Sequence, residues 1–403
     1  MLCLNAGYIG TEKHLIFEPC TESFSWVNTV PPQAWTWGFR NTPRMFEDVA
    51  CLLHEKILPL IPEPHRKATQ LIWSDTMETI PWKKILPSFL YDTRLKAFLK
   101  QLGSTYKIFY ESPYAFIFEK YSSVTEKLQP ARINIEKWKT YLNDEKSPTV
   151  QKVLRSFLPI NNDFAILPQY DYCKTSTGRA VMRSGPQILT LPSAYRNIIV
   201  PTRDENAIIQ VDFISLEPRV ALFAAQKSIK YHDVYRYVLD EVFDGKVTRP
   251  HAKLATLCAL YGVSLKKLQQ MMPNENAAQV VQRIKKFFGV RERTKILRRD
   301  IVNNSVFYNY FGRNLKFDEE LADHVLFSRF VQSTAVDVSM LGFCQLLESN
   351  ELKTADIRPL FVLHDALILE LPFKQISMVR EYCNTGITIE QFGTFPLEVK
   401  MVE

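Results

Sequence analysis

The sequence predicts an α+β protein, and three observations carry that prediction. Short apolar runs, Ala207–Phe213, Leu360–Leu363 and Ala366–Leu371, have the length and apolar character of buried strands. A long, mainly helical stretch from Leu216 to about Asn350 separates the first run from the other two. At 403 residues, 46% hydrophobic and 23% charged, the chain has a globular composition and exceeds what one core supports, so two or three lobes are expected.

Taken in order, residues 1 to about 130 are rich in Trp, Phe and Pro. Met45, Phe46, Val49, Leu52, Leu53 and Ile57 recur at helical spacing and predict a helix over Thr42–Leu60; Tyr91–Leu102 predicts another. Ile135, Trp138, Leu142, Val150, Val153 and Leu154 predict a helical pair within Ile133–Phe157, with a turn near Asp144–Pro148. From Asp163 the texture changes to short runs broken by Gly and Pro, and Ile188–Leu191, Asn197–Val200 and Ala207–Phe213 are expected as strands. After the helical stretch, the last two apolar runs flank His364 and Asp365 as a strand pair. The sketch is a β-containing centre interrupted by a large helical insertion.

The net charge of +7 and pI near 8.9 favour a polyanionic partner without requiring one. The charge is concentrated: Val263–Lys316 holds twelve Lys or Arg against the acids Glu275, Glu292 and Asp300. A phosphate-facing surface and a solvated helix face fit that segment equally well. Seven scattered cysteines without a C-x-x-C pair read as reduced, buried thiols rather than disulfides or zinc ligands. No apolar run approaches a membrane span and the N-terminus lacks a signal-peptide pattern, so a soluble, intracellular protein with no membrane partner is expected.

Two acids stand in strongly apolar settings. Ile208-Ile209-Gln210-Val211-Asp212-Phe213 is a strand that ends in Asp212 and runs at once into a helix. In Phe361–Leu369, His364 and Asp365 occupy the tip between two apolar runs, the shape of a hairpin presenting an acid. An unpaired buried carboxylate is costly, whereas one that binds a divalent cation stays ionised. Two such acids from separate strands suit a pair of Mg²⁺ ions clamping the attacking and leaving oxygens of a phosphoryl transfer. Taken singly, each Asp reads as a cap or turn residue; their joint context and the surrounding motifs reverse that reading.

Those motifs resemble family A (Pol I-type) DNA polymerases. Asp212-Phe213-Ile214-Ser215-Leu216-Glu217-Pro218-Arg219-Val220 resembles the family's motif A, with its Asp, Glu and Arg all present. Arg249-Pro250-His251-Ala252-Lys253, continuing to Leu260-Tyr261-Gly262, resembles motif B with its R-x3-K-x7-Y-G spacing. His364-Asp365 stands where motif C has its His-Asp pair, and Val331–Asp337 resembles the V-Q-G-T-A-A-D helix. Upstream, Thr175–Arg179 and Pro186–Pro192 resemble the T-x-T-G-R and P-N-L-Q-N-I-P elements, so the blocks follow the family's order.

The resemblance implies a right-hand polymerase fold with an antiparallel β palm, helical fingers and a helical thumb. Residues 131–165 would be a thumb-like helical region, 166–232 and 326–403 the two parts of the palm, and 233–325 the fingers; 1–130 has no implied role. It implies a template-directed DNA polymerase that adds dNMPs to a primer 3′-OH on primer–template DNA, using dNTPs and two Mg²⁺ ions, with Mn²⁺ able to substitute. Asp212, the Phe213 backbone carbonyl and Asp365 would hold metal. Arg249 and Lys253 would hold the triphosphate, with Lys253 placed to protonate the leaving pyrophosphate. Leu257 and Tyr261 would lie at the base end of the same helical stripe. Glu217 would exclude a ribose 2′-OH, while Arg179, Gln332 and His364 would contact the primer terminus and minor groove.

The pattern also departs from the family. Ala366 stands where an acid usually follows the motif C Asp, and Leu257 replaces an aromatic expected to stack on the incoming base. Thr256, Cys258, Ser333, Pro218, Gln187 and Thr190 are further differences, marking a compact, divergent member of the kind a phage or other mobile element carries. Residues 1–130 lack the D-x-E signature of a proofreading exonuclease, so no 3′-5′ exonuclease activity is expected. That segment is open to three readings: a reduced remnant, thumb support, or a docking module for a replication accessory protein. A catalytically weakened primer–template binding or scaffolding protein is the alternative to an active enzyme, motivated by Ala366 and Leu257.

Overall fold

The N-terminus forms an interior strand of the first lobe. In β1 (Leu2–Leu4) every side chain is buried, and the strand pairs antiparallel with β2 (His14–Glu18) and parallel with β4 (Trp35–Trp37). β3 (Ser23–Val27) completes the sheet beside β2, in the order β3-β2-β1-β4. The long helix Ser88–Glu111 buries Tyr91, Phe98, Leu102, Tyr106 and Phe109, a helical stripe facing inward. Gly103 is required where this helix meets the sheet, since a Cβ there would lie 2.7 Å from the Phe17 ring. This computed structural model describes residues 1–38, 42, 44–72, 82–160, 163–227, 229, 232–262, 265–273, 275–315, 321–390 and 392–402. The chain divides into two compact units, Met1–Phe118 and Glu119–Glu403.

The helix expected over Thr42–Leu60 is much shorter, Phe46–Leu52. His54 adopts a left-handed φ of 59°, which ends the helix, and Pro59 and Pro62 keep the following segment from resuming it. The helix Ser88–Glu111 contains the expected Tyr91–Leu102 and extends beyond it at both ends.

The second unit is organised by a four-stranded antiparallel sheet. Its strands are β9 (Asn206–Phe213), β12 (Arg358–Leu363), β13 (Ala366–Pro372) and β16 (Leu397–Met401), in the order β12-β13-β9-β16. Every residue of β13 is buried, as its continuous apolar character requires of an interior strand. Four small pairs flank this sheet: β5 (Arg132–Ile133) with β8 (Ile199–Val200), β6 (Gln169–Asp171) with β7 (Val181–Ser184), β10 (Phe307–Tyr308) with β11 (Asn314–Leu315), and β14 (Ile387–Ile389) with β15 (Gly393–Phe395).

The expected helical pair is Ile135–Asp144 and Pro148–Arg155. Asn134 caps the first by accepting from the Lys137 N–H, and the Trp138 indole donates to the Leu154 carbonyl at 2.7 Å. Trp138, Leu154 and Phe157 join Ile208, Phe361 and Ile368 of the sheet in one core. The helix Asp323–Glu348 packs on the sheet: the Phe213 and Phe343 rings lie 5.5 Å apart, and Gly342 leaves room for the Phe213 ring, which a Cβ would meet at 2.5 Å. Truncating the fully buried Phe343 to Ala would cost about 3–5 kcal/mol. Contrary to the sequence expectation, this helix is long and apolar enough to cross a membrane, with an 18-residue window of mean hydropathy 1.3. Yet 78% of that window is buried inside the protein, as in a core helix.

Two expected strands are otherwise. Ile188–Thr190 is a 3₁₀ turn between Pro186 and Pro192, and it sends Ile188 and Leu191, three apart, into the same core. Ser193–Ile198 is also 3₁₀, leaving only Ile199–Val200 of the expected Asn197–Val200 strand. Between Leu216 and Glu348 the chain is mainly helical as expected, interrupted by β10 and β11. Helices Leu216–Ala224, Val234–Phe243, Arg249–Tyr261, Leu265–Met271, Ala277–Phe287 and Val290–Asn304 precede Asp323–Glu348. None of the seven cysteines forms a disulfide; Cys3, Cys258, Cys344 and Cys383 are buried as expected, but Cys173 is only half-buried and Cys20 and Cys51 are exposed.

Candidate active site

The sheet register brings the two aspartates together. β12 and β13 are joined by the two-residue turn His364-Asp365, with Leu363 opposite Ala366, and β13 then pairs Ala366 with Asp212 of β9. The Phe213 N–H donates to the Asp365 carbonyl at 3.2 Å, tying the end of β9 to the hairpin tip. His364 holds a left-handed φ of 57°, a conformation that a non-glycine residue adopts only when its surroundings fix it. Ser215, with φ of 52°, turns the chain from β9 directly into the helix Leu216–Ala224, whose first turn carries Glu217.

The electrostatics follow from this crowding. Burial and the nearby Asp365 charge push the Asp212 carboxyl up to about 6, partly opposed by Lys400. Burial likewise raises the Asp365 pKa, and the Glu217 charge adds to the effect. The imidazole of His364 is shifted down by burial, against the pull of Asp365. Carboxylates in this state disfavour their own ionisation unless a cation joins them.

One pocket is lined by Arg179, Glu217, Gln332, His364 and Asp365. Within it Arg179 Nη2 donates to Glu217 Oε1, and the Tyr261 hydroxyl donates to Glu217 Oε2. Glu217 is therefore held from two sides, by a residue of the Thr175–Arg179 turn and by the end of the Arg249–Tyr261 helix. Burial and the Glu217 charge raise the Tyr261 pKa well above its usual value, so the phenol stays protonated and keeps donating.

The cations of the Arg249–Tyr261 helix share a platform that the sequence did not disclose. Arg249 and Lys253 lie over the Tyr235 ring, at 5.5 and 5.6 Å from its centroid. Arg249 also donates to both carboxylate oxygens of Asp233, which caps the helix Val234–Phe243. Burial is the largest single influence and opposes the Asp233 charge, but the Arg249 hydrogen bond and charge together with the Tyr235 and Arg236 backbone N–H donors outweigh it and lower the pKa. Leu257, between Lys253 and Tyr261, is half-buried on the same helix. The structure thus gathers Asp212, Asp365, Glu217, Tyr261, Arg179, Gln332 and His364, while Arg249 and Lys253 meet one another over Tyr235.

Sequence reasoning missed Asp233, Tyr235, Glu398 and Lys400. Asp233 ahead of an apolar helical run carries an N-cap signal that could have marked it. Lys400 had no local signal, because only the β16–β9 register places it 3.8 Å from Asp212.

Residues 118–402 match the family described as DNA polymerase family A. No curated protein matches the chain. Among solved structures it is similar to the POL domain of Pol1 from M. smegmatis in complex with DNA primer-template and dNTP. That match has a TM-score of 0.62 and 12% sequence identity, and covers 96% of this chain and 92% of the other, a likeness of fold.

Proposed function

The chain belongs to DNA polymerase family A and is a DNA-directed DNA polymerase; from that premise we propose that it extends a primer 3′-OH with dNMPs by two-metal-ion phosphoryl transfer, without 3′-5′ proofreading. The observation that carries the reading is that Asp212 pairs with Ala366 across adjacent strands, which sets it beside Asp365 at the hairpin tip, with both carboxyl pKa values raised. Such a pair fits a hard divalent cation, and Mg²⁺ is commonly held by one or two carboxylates plus substrate phosphates. Among the described residues no group of three or more His, Cys, Asp or Glu could hold a metal, so substrate oxygens and water would complete the shell. Asp212, Asp365 and the Phe213 carbonyl would be the protein's ligands to Mg²⁺ or Mn²⁺. When bound, the ions would lower the pKa of the primer hydroxyl and offset charge on the transferred phosphoryl group.

The remaining residues do the positioning. Arg249 and Lys253 would take the triphosphate of the incoming nucleotide, and Lys253 would give a proton to the leaving pyrophosphate. Glu217, fixed by Arg179 and Tyr261, would fill the space a ribose 2′-OH needs and so select dNTPs. Leu257 would offer the base an apolar rather than aromatic contact. Arg179, Gln332 and His364, lining the same pocket as Asp365, would meet the primer terminus and minor groove of primer–template DNA. In this reading the thumb is 131–165, the palm 166–232 with 326–403, and the fingers 233–325. The reading without proofreading rests on residues 1–130, whose sequence contains no D-x-E run.

Primer extension with four dNTPs and Mg²⁺ tests the proposal. The wild type extends, while Asp212→Ala and Asp365→Ala each lose about 10³-fold or more, equivalent to roughly 4 kcal/mol of transition-state stabilisation, and keep DNA binding. Retained synthesis in either variant overturns the metal assignment. Binding without any extension by the wild type favours the scaffolding alternative.

A further inference from the structure

β16 brings charged residues of its own to the Asp212 face of the sheet. Its register sets Glu398 opposite Asp212 and Lys400 opposite Gln210, and cross-strand partners share a face. Lys400 Nζ lies 3.8 Å from Asp212 Oδ2 and donates to Glu398 Oε1. Gln210 Nε2 donates to the same Asp212 oxygen at 3.3 Å, and Arg196 Nη1 donates to Gln210 Oε1 at 3.3 Å. On the opposite side of β9 the partner of Asp212 is Ala366, which brings no charge. Among the described residues Asp365 makes no ion pair within 4.0 Å, so the two aspartates are unequally compensated.

A divalent ion approaching Asp212 Oδ2 therefore meets an ammonium already in place. Two cations on one carboxylate oxygen repel each other, so one must withdraw. Lys400 has somewhere to go: its side chain is 53% exposed, its stem is flexible, and Glu398 is already its hydrogen-bond partner. We propose that Lys400 is a resident cation on Asp212 which Glu398 draws aside when a divalent ion enters, so that this pair sets the metal affinity of the site. The inference rests on the reading of Asp212 and Asp365 as metal ligands. Lys400 and Glu398 are positioning residues, acting through Asp212.

The two residues act in opposite directions, which makes the proposal easy to overturn. Removing Lys400 frees Asp212, whereas removing Glu398 leaves Lys400 with Asp212 alone. The test is Mn²⁺ binding to the full chain without nucleotide or DNA, measured by the loss of the free-ion electron paramagnetic resonance signal. Lys400→Gln is expected to tighten Mn²⁺ roughly five- to tenfold and Glu398→Gln to weaken it about threefold. The double variant should fall near Lys400→Gln, short of it only by the smaller direct effect of the Glu398 charge at Asp212. Both positions are exposed, so neither change threatens folding. Unchanged or weaker binding in Lys400→Gln overturns the proposal, as does a Glu398→Gln shift in the same direction. Asp212→Asn and Asp365→Asn report on the underlying reading: if both bind Mn²⁺ like the wild type, the metal assignment fails, whatever the Lys400 result.

Discussion

Replacing Asp212 with Asn should stabilise the protein while destroying its activity, and the gain should depend on pH. The side chain is 23% exposed and its carboxyl is pushed up to about 6 by burial and Asp365. An unfolded Asp titrates near 3.9, so between about pH 4 and pH 6 the folded chain binds more protons than the unfolded one. Because the folded pKa lies above the unfolded value, wild-type stability falls as pH rises through that window. Integrated across it, the loss is roughly 3 kcal/mol. The Asn variant does not titrate there and keeps an acceptor for Lys400 and a partner for Gln210. Its advantage should be near zero below pH 4, grow between pH 4 and 6, and level off above, appearing as a rise of a few degrees in Tm at pH 7.5. Mg²⁺ or Mn²⁺ should raise the wild-type Tm and close much of the gap, because ligand binding to the folded state stabilises it. Thermal melts at pH 4, 5, 6 and 7.5, with and without metal, measure this. A variant less stable than the wild type at pH 7.5, or an advantage that shrinks as pH rises, would refute the electrostatic account of the site.

Other consequences concern substrate choice. Glu217→Ala should raise the rNTP-to-dNTP incorporation ratio roughly thirtyfold, if the lost exclusion is worth about 2 kcal/mol; an unchanged ratio in single-nucleotide assays removes Glu217 from sugar selection. Tyr261→Phe deletes one of the two donors that hold Glu217 and should give a smaller change in the same direction. Leu257→Phe should lower the apparent KM for dNTPs about two- to tenfold, from a gained aromatic contact of about 0.5–1.5 kcal/mol; a KM that stays or rises means Leu257 does not face the base.

What the sequence disclosed divides along physical lines. Asp212 and Asp365 could be singled out because each ends or tips an apolar strand, where an acid demands an explanation, and the β13–β9 register sets Asp212 opposite Ala366, the residue that follows Asp365. The helices Ile135–Asp144 and Pro148–Arg155 were legible because local periodicity and a proline at the second helix's start suffice to mark them. Ile188–Thr190 was misread because a four-residue apolar run between prolines has no resolvable period, and its 3₁₀ turn is selected by the core that Ile188 and Leu191 fill. The Phe46–Leu52 helix was overextended because apolar spacing continues past His54, where the backbone turns left-handed. Tyr235 as a platform for Arg249 and Lys253 and Lys400 beside Asp212 depend on non-local packing, which no window of sequence reports.

The central claim is that the template chooses what this site adds to a primer. Four primer–templates differing only in the first unpaired template base, each supplied with one dNTP at a time and Mg²⁺, test it directly. The account predicts that each template directs addition of its complementary nucleotide, with one pyrophosphate released per addition. No addition on any template, or addition independent of the template base, would contradict it.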